Sequence, residues 1–174
     1  ERLDILINEI FDLTRYNTRA ASLHKTNVDL SCLLSQIADE FYPALSTNGN
    51  TVNVSVDEGL TVIADSEMLA RVFGNLLKNA ASYSDAGSEI IISAKKENDL
   101  AVITFENTGK NISPEELETM FDKFSRLDRA RASETGGAGL GLPIAKEIVE
   151  LHGGTITAQS KDRTITFCIL LPIA

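Results

Sequence analysis

Gly136-Gly137-Ala138-Gly139-Leu140-Gly141-Leu142 is the stretch around which the chain is organised. Four glycines in six positions permit left-handed backbone and let another group come close to the main chain. A helical pattern follows at once in Ile144, Ala145, Ile148 and Val149. Pro143 then falls in the first turn, where its missing N–H costs nothing. A glycine loop running into a helix N-terminus is an anion site built from free N–H groups and the helix dipole. A simple tight turn needs fewer glycines. The spacing matches neither G-x-x-x-x-G-K-[ST] nor G-x-G-x-x-G, so a phosphate site of another kind is expected.

The helix upstream of this loop carries the other chemistry. From Ser66 to about Ser82, with Asp65 or Ser66 as the cap, Leu69, Val72, Phe73, Leu76, Leu77 and Ala80 form one apolar stripe. Asn75, Asn79 and Tyr83 follow one another at a spacing of four along its edge, on one face. Asparagine is a middling helix former, and two of them alone fit a solvated polar edge. The functional reading is a pair of amide oxygens suited to Mg²⁺, which takes hard oxygen ligands and leaves the rest to water and phosphate.

Between helix and glycine loop, Ile90–Lys96 and Leu100–Glu106 read as strands joined by a turn at Glu97-Asn98-Asp99. Asn107-Thr108-Gly109-Lys110-Asn111-Ile112 is a polar loop after the second strand. Ser113 and Glu116 form a capping box with Pro114 at the first helical position. That short helix ends at Phe121-Asp122-Lys123-Phe124. Residues 125–135 lack a period and carry Arg126, Arg129 and Arg131. They read either as a solvated charged loop or as a lid whose cations meet phosphates.

Toward the N-terminus, Leu3, Leu6, Ile10 and Leu13 give the a/d pattern of a helix that packs on other helices. Residues 19–25 read as linker. Thr26–Asp29 reads as a short strand, followed by an amphipathic helix through Leu30, Leu33, Leu34, Ile37 and Phe41, with Asp29 as its N-cap and an end near Asn48-Gly49. Val52, Val54 and Val56 alternate as a half-buried strand, and Leu60–Ala64 is another. After the glycine-loop helix, which ends at His152-Gly153-Gly154, strands Thr155–Ala158 and Thr164–Leu171 finish the chain. Consecutive strands with short turns imply a mixed, mostly antiparallel sheet with helices on one face. The expected fold class is α+β, a two-layer sandwich.

Composition narrows the functions. The 174 residues suffice for one domain with a proper core plus an appendage. A net charge of −9 argues against nonspecific nucleic-acid binding. Cys32 and Cys168 are few and far apart, so buried free thiols are expected rather than a disulfide framework or zinc site. No apolar run approaches the roughly 20 residues of a membrane span. With neither an initiator Met nor a signal peptide, the chain reads as a piece of a longer protein.

An asparagine-rich helix, an Asn-Thr-Gly loop, Phe-x-x-Phe and then Gly-x-Gly-Leu-Gly occur in this order. In this the chain resembles the ATP-binding catalytic domain of two-component sensor histidine kinases, within the Bergerat ATP fold, and among them the vancomycin-resistance type. The resemblance implies that residues 1–18 end a dimerisation and histidine-phosphotransfer helix and that 26–174 form the catalytic domain. It implies that Asn75 and Asn79 hold Mg²⁺ against the phosphates of ATP, and that Tyr83 stacks on adenine. Asn107 stands where the family's aspartate accepts from the adenine amino group, and Gly109 is the first glycine of that motif, with Ile112 beside it. Phe121 and Phe124 anchor the lid, with Lys123 and Arg126 near the phosphates in catalytic roles. Gly137, Ala138, Gly139, Leu140, Gly141 and Leu142 line the triphosphate. Asn107 keeps an acceptor oxygen but loses the charge, and charge-assisted bonds run roughly twice as strong as neutral ones, so weaker nucleotide affinity is expected. Asn111 replaces the motif's second glycine. Ser82 replaces a lysine, which leaves one phosphate contact open among Lys78, Lys123 and Arg126.

The implied activity is transfer of the ATP γ-phosphoryl group to a histidine outside this chain, then to the aspartate of a response regulator, in a membrane-anchored homodimer whose catalytic part is cytoplasmic. The alternatives are an ATPase of the same fold and a domain that only binds a partner. Fold-related ATPases carry a glutamate where this chain has Asn75, and an amide cannot take a proton from water. Of the two histidines, neither His24 nor His152 is followed by the acidic residue that the family's phosphoacceptor requires.

Overall fold

Burial alternates with a period of two along the long strands, so that one face of the sheet is apolar and covered. The structure is a computed structural model that describes residues 23–122 and 140–173. Strands β1 (Thr26–Asp29), β2 (Thr51–Val56), β3 (Thr61–Ala64), β4 (Glu89–Glu97), β5 (Leu100–Thr108), β6 (Thr155–Lys161) and β7 (Thr164–Pro172) are interleaved with helices α1 (Leu30–Ser46), α2 (Ser66–Tyr83), α3 (Pro114–Thr119) and α4 (Gly141–Leu151). The expected helix over residues 1–18, residues 19–22 of the linker and the 125–135 segment lie outside the described residues.

Five strands form the main sheet in the order β2-β4-β5-β7-β6. β2 runs parallel to β4, and every other neighbour is antiparallel. α1, α2 and α4 pack on the apolar face. Ile90 and Ile92 of β4, Ile103 and Phe105 of β5, and Phe167 and Ile169 of β7 meet the stripe of α2, where the Phe73 and Phe105 rings stack 5.9 Å apart. The expected α+β two-layer class is the one observed.

Of the three strand pairs joined by short turns, β2 and β3 alone do not pair. β3 leaves β2 and pairs with β1 in a separate two-stranded sheet, Thr26 opposite Ala64. Asp57 fastens the end of β2 to β4 on one side. Its N–H donates to the Ala94 carbonyl at 2.9 Å and its carboxylate accepts from the Lys96 N–H at 2.8 Å, so the end of β2 is committed to β4. Gly59, at φ 68°, then turns the chain away. α2 lies between β3 and β4 in sequence and supplies the crossover that a parallel pair requires.

The local signals hold where chemistry fixes them. Asp29 accepts from the Cys32 N–H and Asp65 from the Met68 N–H, each as an N-cap. Ser113 and Glu116 form the capping box, with Pro114 at the start of α3. The thiols depart from expectation. Cys32 is exposed and Cys168 only half-buried, because both sit on faces turned from the core. Burial, followed by the nearby Glu97 carboxylate, pushes the Cys168 thiol above its usual range.

His152 does more than end α4. It is buried, its Nδ1 meets the Ile148 carbonyl at 2.8 Å, and its Nε2 accepts the Asp65 N–H at 3.0 Å. The first bond places the proton on Nδ1 and leaves Nε2 as the acceptor for the start of α2. Gly153 follows at φ 76°, the left-handed residue past a helix end. His152→Ala removes both bonds and strands the Asp65 N–H, so a urea melt is expected to show a loss of about 2 kcal/mol. An unchanged midpoint would contradict this joining role.

Candidate functional site

α2 offers its polar edge where α4 begins. Its apolar stripe is buried, which leaves Asn75 and Asn79 half-buried along the rim and Lys78 exposed. Asn75 Nδ2 donates to the Gly141 carbonyl at 3.0 Å. That bond orients the carboxamide and leaves Oδ1 as its free oxygen. The asparagine pair and the end of the glycine stretch, 66 residues apart in sequence, are therefore brought together. Among the described residues, no cluster of three or more His, Cys, Asp or Glu side chains could hold a metal. A cation here would rely on amide oxygens, phosphate and water, and the donor set fits Mg²⁺ in that form.

The first turn of α4 has no side-chain cap. Leu140 occupies the N-cap position, the ladder starts with the Ile144 N–H on the Leu140 carbonyl at 3.0 Å, and buried Pro143 has no N–H. The N–H groups of Gly141 and Leu142 are thus left at the positive end of the helix dipole. Gly141 itself is helical, so φ does not demand glycine there. A Cβ would sit at an ordinary 3.5 Å from Asn75 Oδ1.

The third side is the end of β5. Ala101, Ile103, Phe105 and Asn107 are the buried positions of this strand, so Asn107 is a carboxamide in an apolar register. It is 3% exposed, and its Nδ2 has no hydrogen-bond partner among the described residues. Such a group costs about 1–3 kcal/mol if left unsatisfied, and in a native fold it calls for a function. Gly109 lies next to it. A Cβ there would overlap the Tyr83 carbonyl oxygen at the end of α2. Close approach, not backbone angle, makes this position a glycine. Tyr83 is 39% exposed at the same corner.

The polar loop is held from the far side by contacts that local sequence does not announce. Gly109 N–H donates to the Arg163 carbonyl at 2.8 Å, and the Ile112 N–H to Ser160 Oγ at 2.9 Å. Asn111 Oδ1 accepts from the Arg163 N–H at 2.8 Å. Asn111 does not have a positive φ, so its departure from glycine gains a bond without strain. The Arg163 guanidinium then reaches the Asp85 carboxylate just past α2. Asn50 Nδ2 donates to the Asp85 and Ser88 carbonyls and to Ser88 Oγ, fixing the same corner. None of these was found from sequence. The two-residue Asp162-Arg163 turn between alternating strands was the available signal, and its residues do have positive φ, 51° and 66°.

Phe121 packs edge-on against Phe167 of β7 at 6.4 Å, which ties the end of α3 to the core. Lys123, Phe124, Arg126, Gly137, Ala138 and Gly139 lie outside the described residues. Asn75, Lys78, Asn79 and Tyr83 lie on α2, Asn107 at the end of β5, Gly109 and Ile112 in the loop after it, Phe121 just past α3, and Leu140, Gly141 and Leu142 at the start of α4.

The profile of the histidine kinase-, DNA gyrase B- and HSP90-like ATPases matches residues 64–174. The chain belongs to this family. It is 52% identical over 98% of its length to the sensor protein VanS of Enterococcus faecium, of which it covers 44%. It is 41% identical over 99% of its length to the sensor protein VanSC of Enterococcus gallinarum, covering 47% of that protein. The chain thus spans about half the length of these curated relatives. Full-length ShkA, solved in complex with AMPPNP, superposes with a TM-score of 0.85 at 25% identity over 97% of this chain and 35% of that one. The matched region takes in every described element from α2 onward.

Gly109→Ala forces the loop off the end of α2. The expected result is a destabilisation of about 2 kcal/mol or more, together with solvent exposure of Asn107, read as faster hydrogen exchange in the 107–112 segment. A variant with unchanged stability and exchange would show that the loop is positioned by other contacts.

Proposed function

We propose that this chain binds Mg-ATP where α2, the 107–112 loop and the start of α4 meet, and that it is the catalytic domain of a sensor histidine kinase. The observation that carries the reading is the Asn75–Gly141 hydrogen bond, which sets oxygen donors for a metal beside the uncapped helix start that suits phosphate. Family membership and the AMPPNP complex of ShkA support it.

In this reading Asn75 and Asn79 present amide oxygens to Mg²⁺. The metal, when bound, neutralises charge on the phosphate oxygens as the phosphoryl group leaves. The backbone of Gly137, Ala138, Gly139, Leu140, Gly141 and Leu142 cradles the triphosphate, with Lys78 and Lys123 as cations within the same region. Arg126 stabilises the transferring group. Tyr83 stacks on the base and Asn107 reads its edge, while Ile112 packs beside it. Phe121 and Phe124 anchor the segment that covers the nucleotide.

The acceptor is a histidine on a separate dimerisation domain, of which residues 1–18 are the end, followed by a linker to residue 25. The next acceptor is an aspartate of a VanR-like response regulator. The whole protein is a membrane-anchored homodimer of the vancomycin-resistance type with this domain in the cytoplasm. Among the described residues no helix is long and apolar enough to cross a membrane. The two histidines of this chain support an acceptor elsewhere. His152 is buried with both ring nitrogens engaged, and His24 is followed by Lys25, not by an acidic residue. Simple ATP hydrolysis is disfavoured because the Asn75 amide cannot act as a base toward water.

Incubation with radiolabelled ATP and a separately supplied histidine domain tests the reading. Acid-labile label on the added domain, and none on this chain alone, is expected. Label on His24 or His152 would contradict it. Asn79→Ala is expected to weaken Mg-ATP by at least about tenfold while changing metal-free ATP little, because it removes a metal ligand. Equal losses in calorimetry with and without Mg²⁺ would remove that role.

A further inference from the structure

Three polar or charged side chains are buried among the described residues: Asn50, Asn107 and His152. The other two have work inside the fold. His152 uses both ring nitrogens, and Asn50 Nδ2 makes three hydrogen bonds. Asn50 Oδ1 has no partner, but Asn107 is the one of the three whose side chain makes no hydrogen bond in the described residues, with its Nδ2 buried. It continues the apolar register of Ala101, Ile103 and Phe105, where packing by itself would favour a hydrocarbon. Gly109 and the end of α2 hold its surroundings in place through the close approach to Tyr83. The group is thus held in a fixed setting with hydrogen-bonding capacity unused.

We propose that Asn107 makes the base site accept 6-oxopurine nucleotides as well as adenine nucleotides. This rests on the reading above, in which Asn107 faces the base. A carboxylate at this position is acceptor-only. It can take a proton from the 6-amino group of adenine, but against the 6-oxo group of hypoxanthine or guanine it sets acceptor against acceptor. A carboxamide carries both an acceptor oxygen and a two-proton donor. A half-turn of its plane exchanges the two ends, and no bond in the described residues holds the Nδ2 end. With the oxygen toward the base, Asn107 accepts from a 6-amino group. With the plane turned so that Nδ2 faces the base, it donates to a 6-oxo group. Strong discrimination arises when the wrong ligand leaves a buried group of the site unpaired, and here one end of the carboxamide or the other pairs with the 6-substituent of either purine.

Inosine triphosphate is the probe, since hypoxanthine carries the 6-oxo group without the 2-amino group of guanine. Dissociation constants for Mg-ATP, Mg-ITP and Mg-CTP are measured by calorimetry on this chain and on Asn107→Asp. ATP and ITP are expected to bind this chain within about tenfold of each other, with CTP weaker than both. In Asn107→Asp, ATP is expected to tighten and ITP to weaken, so that their ratio moves by at least a further factor of about ten. ITP weaker than ATP by more than about a hundredfold in the unmodified chain overturns the proposal, and this result needs no variant to fold. CTP binding as tightly as the purines also overturns it, because the base is then not read at all. Binding of neither ATP nor ITP sinks the nucleotide reading itself and this inference with it. ATP binding with ITP excluded sinks the inference alone.

Discussion

One carboxamide-to-carbonyl hydrogen bond, Asn75 Nδ2 to Gly141 O, joins the two helices on which the site depends. α2 could pack its stripe against the sheet, and α4 could bury Ile144, Ala145, Ile148 and Val149, with some freedom to slide. The bond removes that freedom where the start of α4 meets the middle of α2, and the His152–Asp65 bond removes it where the end of α4 meets the start of α2. Two helices pinned at two points hold the Asn75 carboxamide and the uncapped N–H groups in a fixed relation. Preorganisation of this kind is what phosphoryl transfer needs, since it is mostly positioning and charge stabilisation.

The electrostatics set a second constraint. A chain of net charge −9 repels a polyanion at long range. Attraction must therefore be local. Backbone N–H groups at a helix start can supply it without a formal charge, and in the proposed reading a divalent cation held by neutral amides would add positive charge without adding protein carboxylates. The arginine-bearing segment after α3 is the only stretch of the sequence with a dense run of cations between the loop and α4.

Much of the frame was legible because short-range chemistry writes it. The cap at Asp65, the stripe of α2, the box at Ser113 and the alternation of β4, β5 and β7 are encoded within a few residues each. Asn75 and Asn79 were legible from their spacing. What escaped was long-range. β3 pairs with β1 rather than with β2, and Asp57 ties the end of β2 to the Lys96 N–H of β4 across 39 residues. The Arg163–Asp85 pair spans 78 residues, and Asn111–Arg163 spans 52. Gly109 was legible as a motif glycine, but its cause, the Tyr83 carbonyl, lies in another element. The burial of Asn107 was invisible until β5 showed which parity faces the core.

The central claim is that a single site is formed by the start of α4, the edge of α2 and the end of β5. Its most direct measurement is a titration of isotopically labelled protein with Mg-ATP, followed by amide resonances. The account predicts shifts of the backbone amides of Gly141 and Leu142 and of the side-chain amides of Asn75, Asn79 and Asn107, with β1 and β3 left unchanged. Shifts concentrated on β1 and β3, with those five groups unmoved, would contradict it.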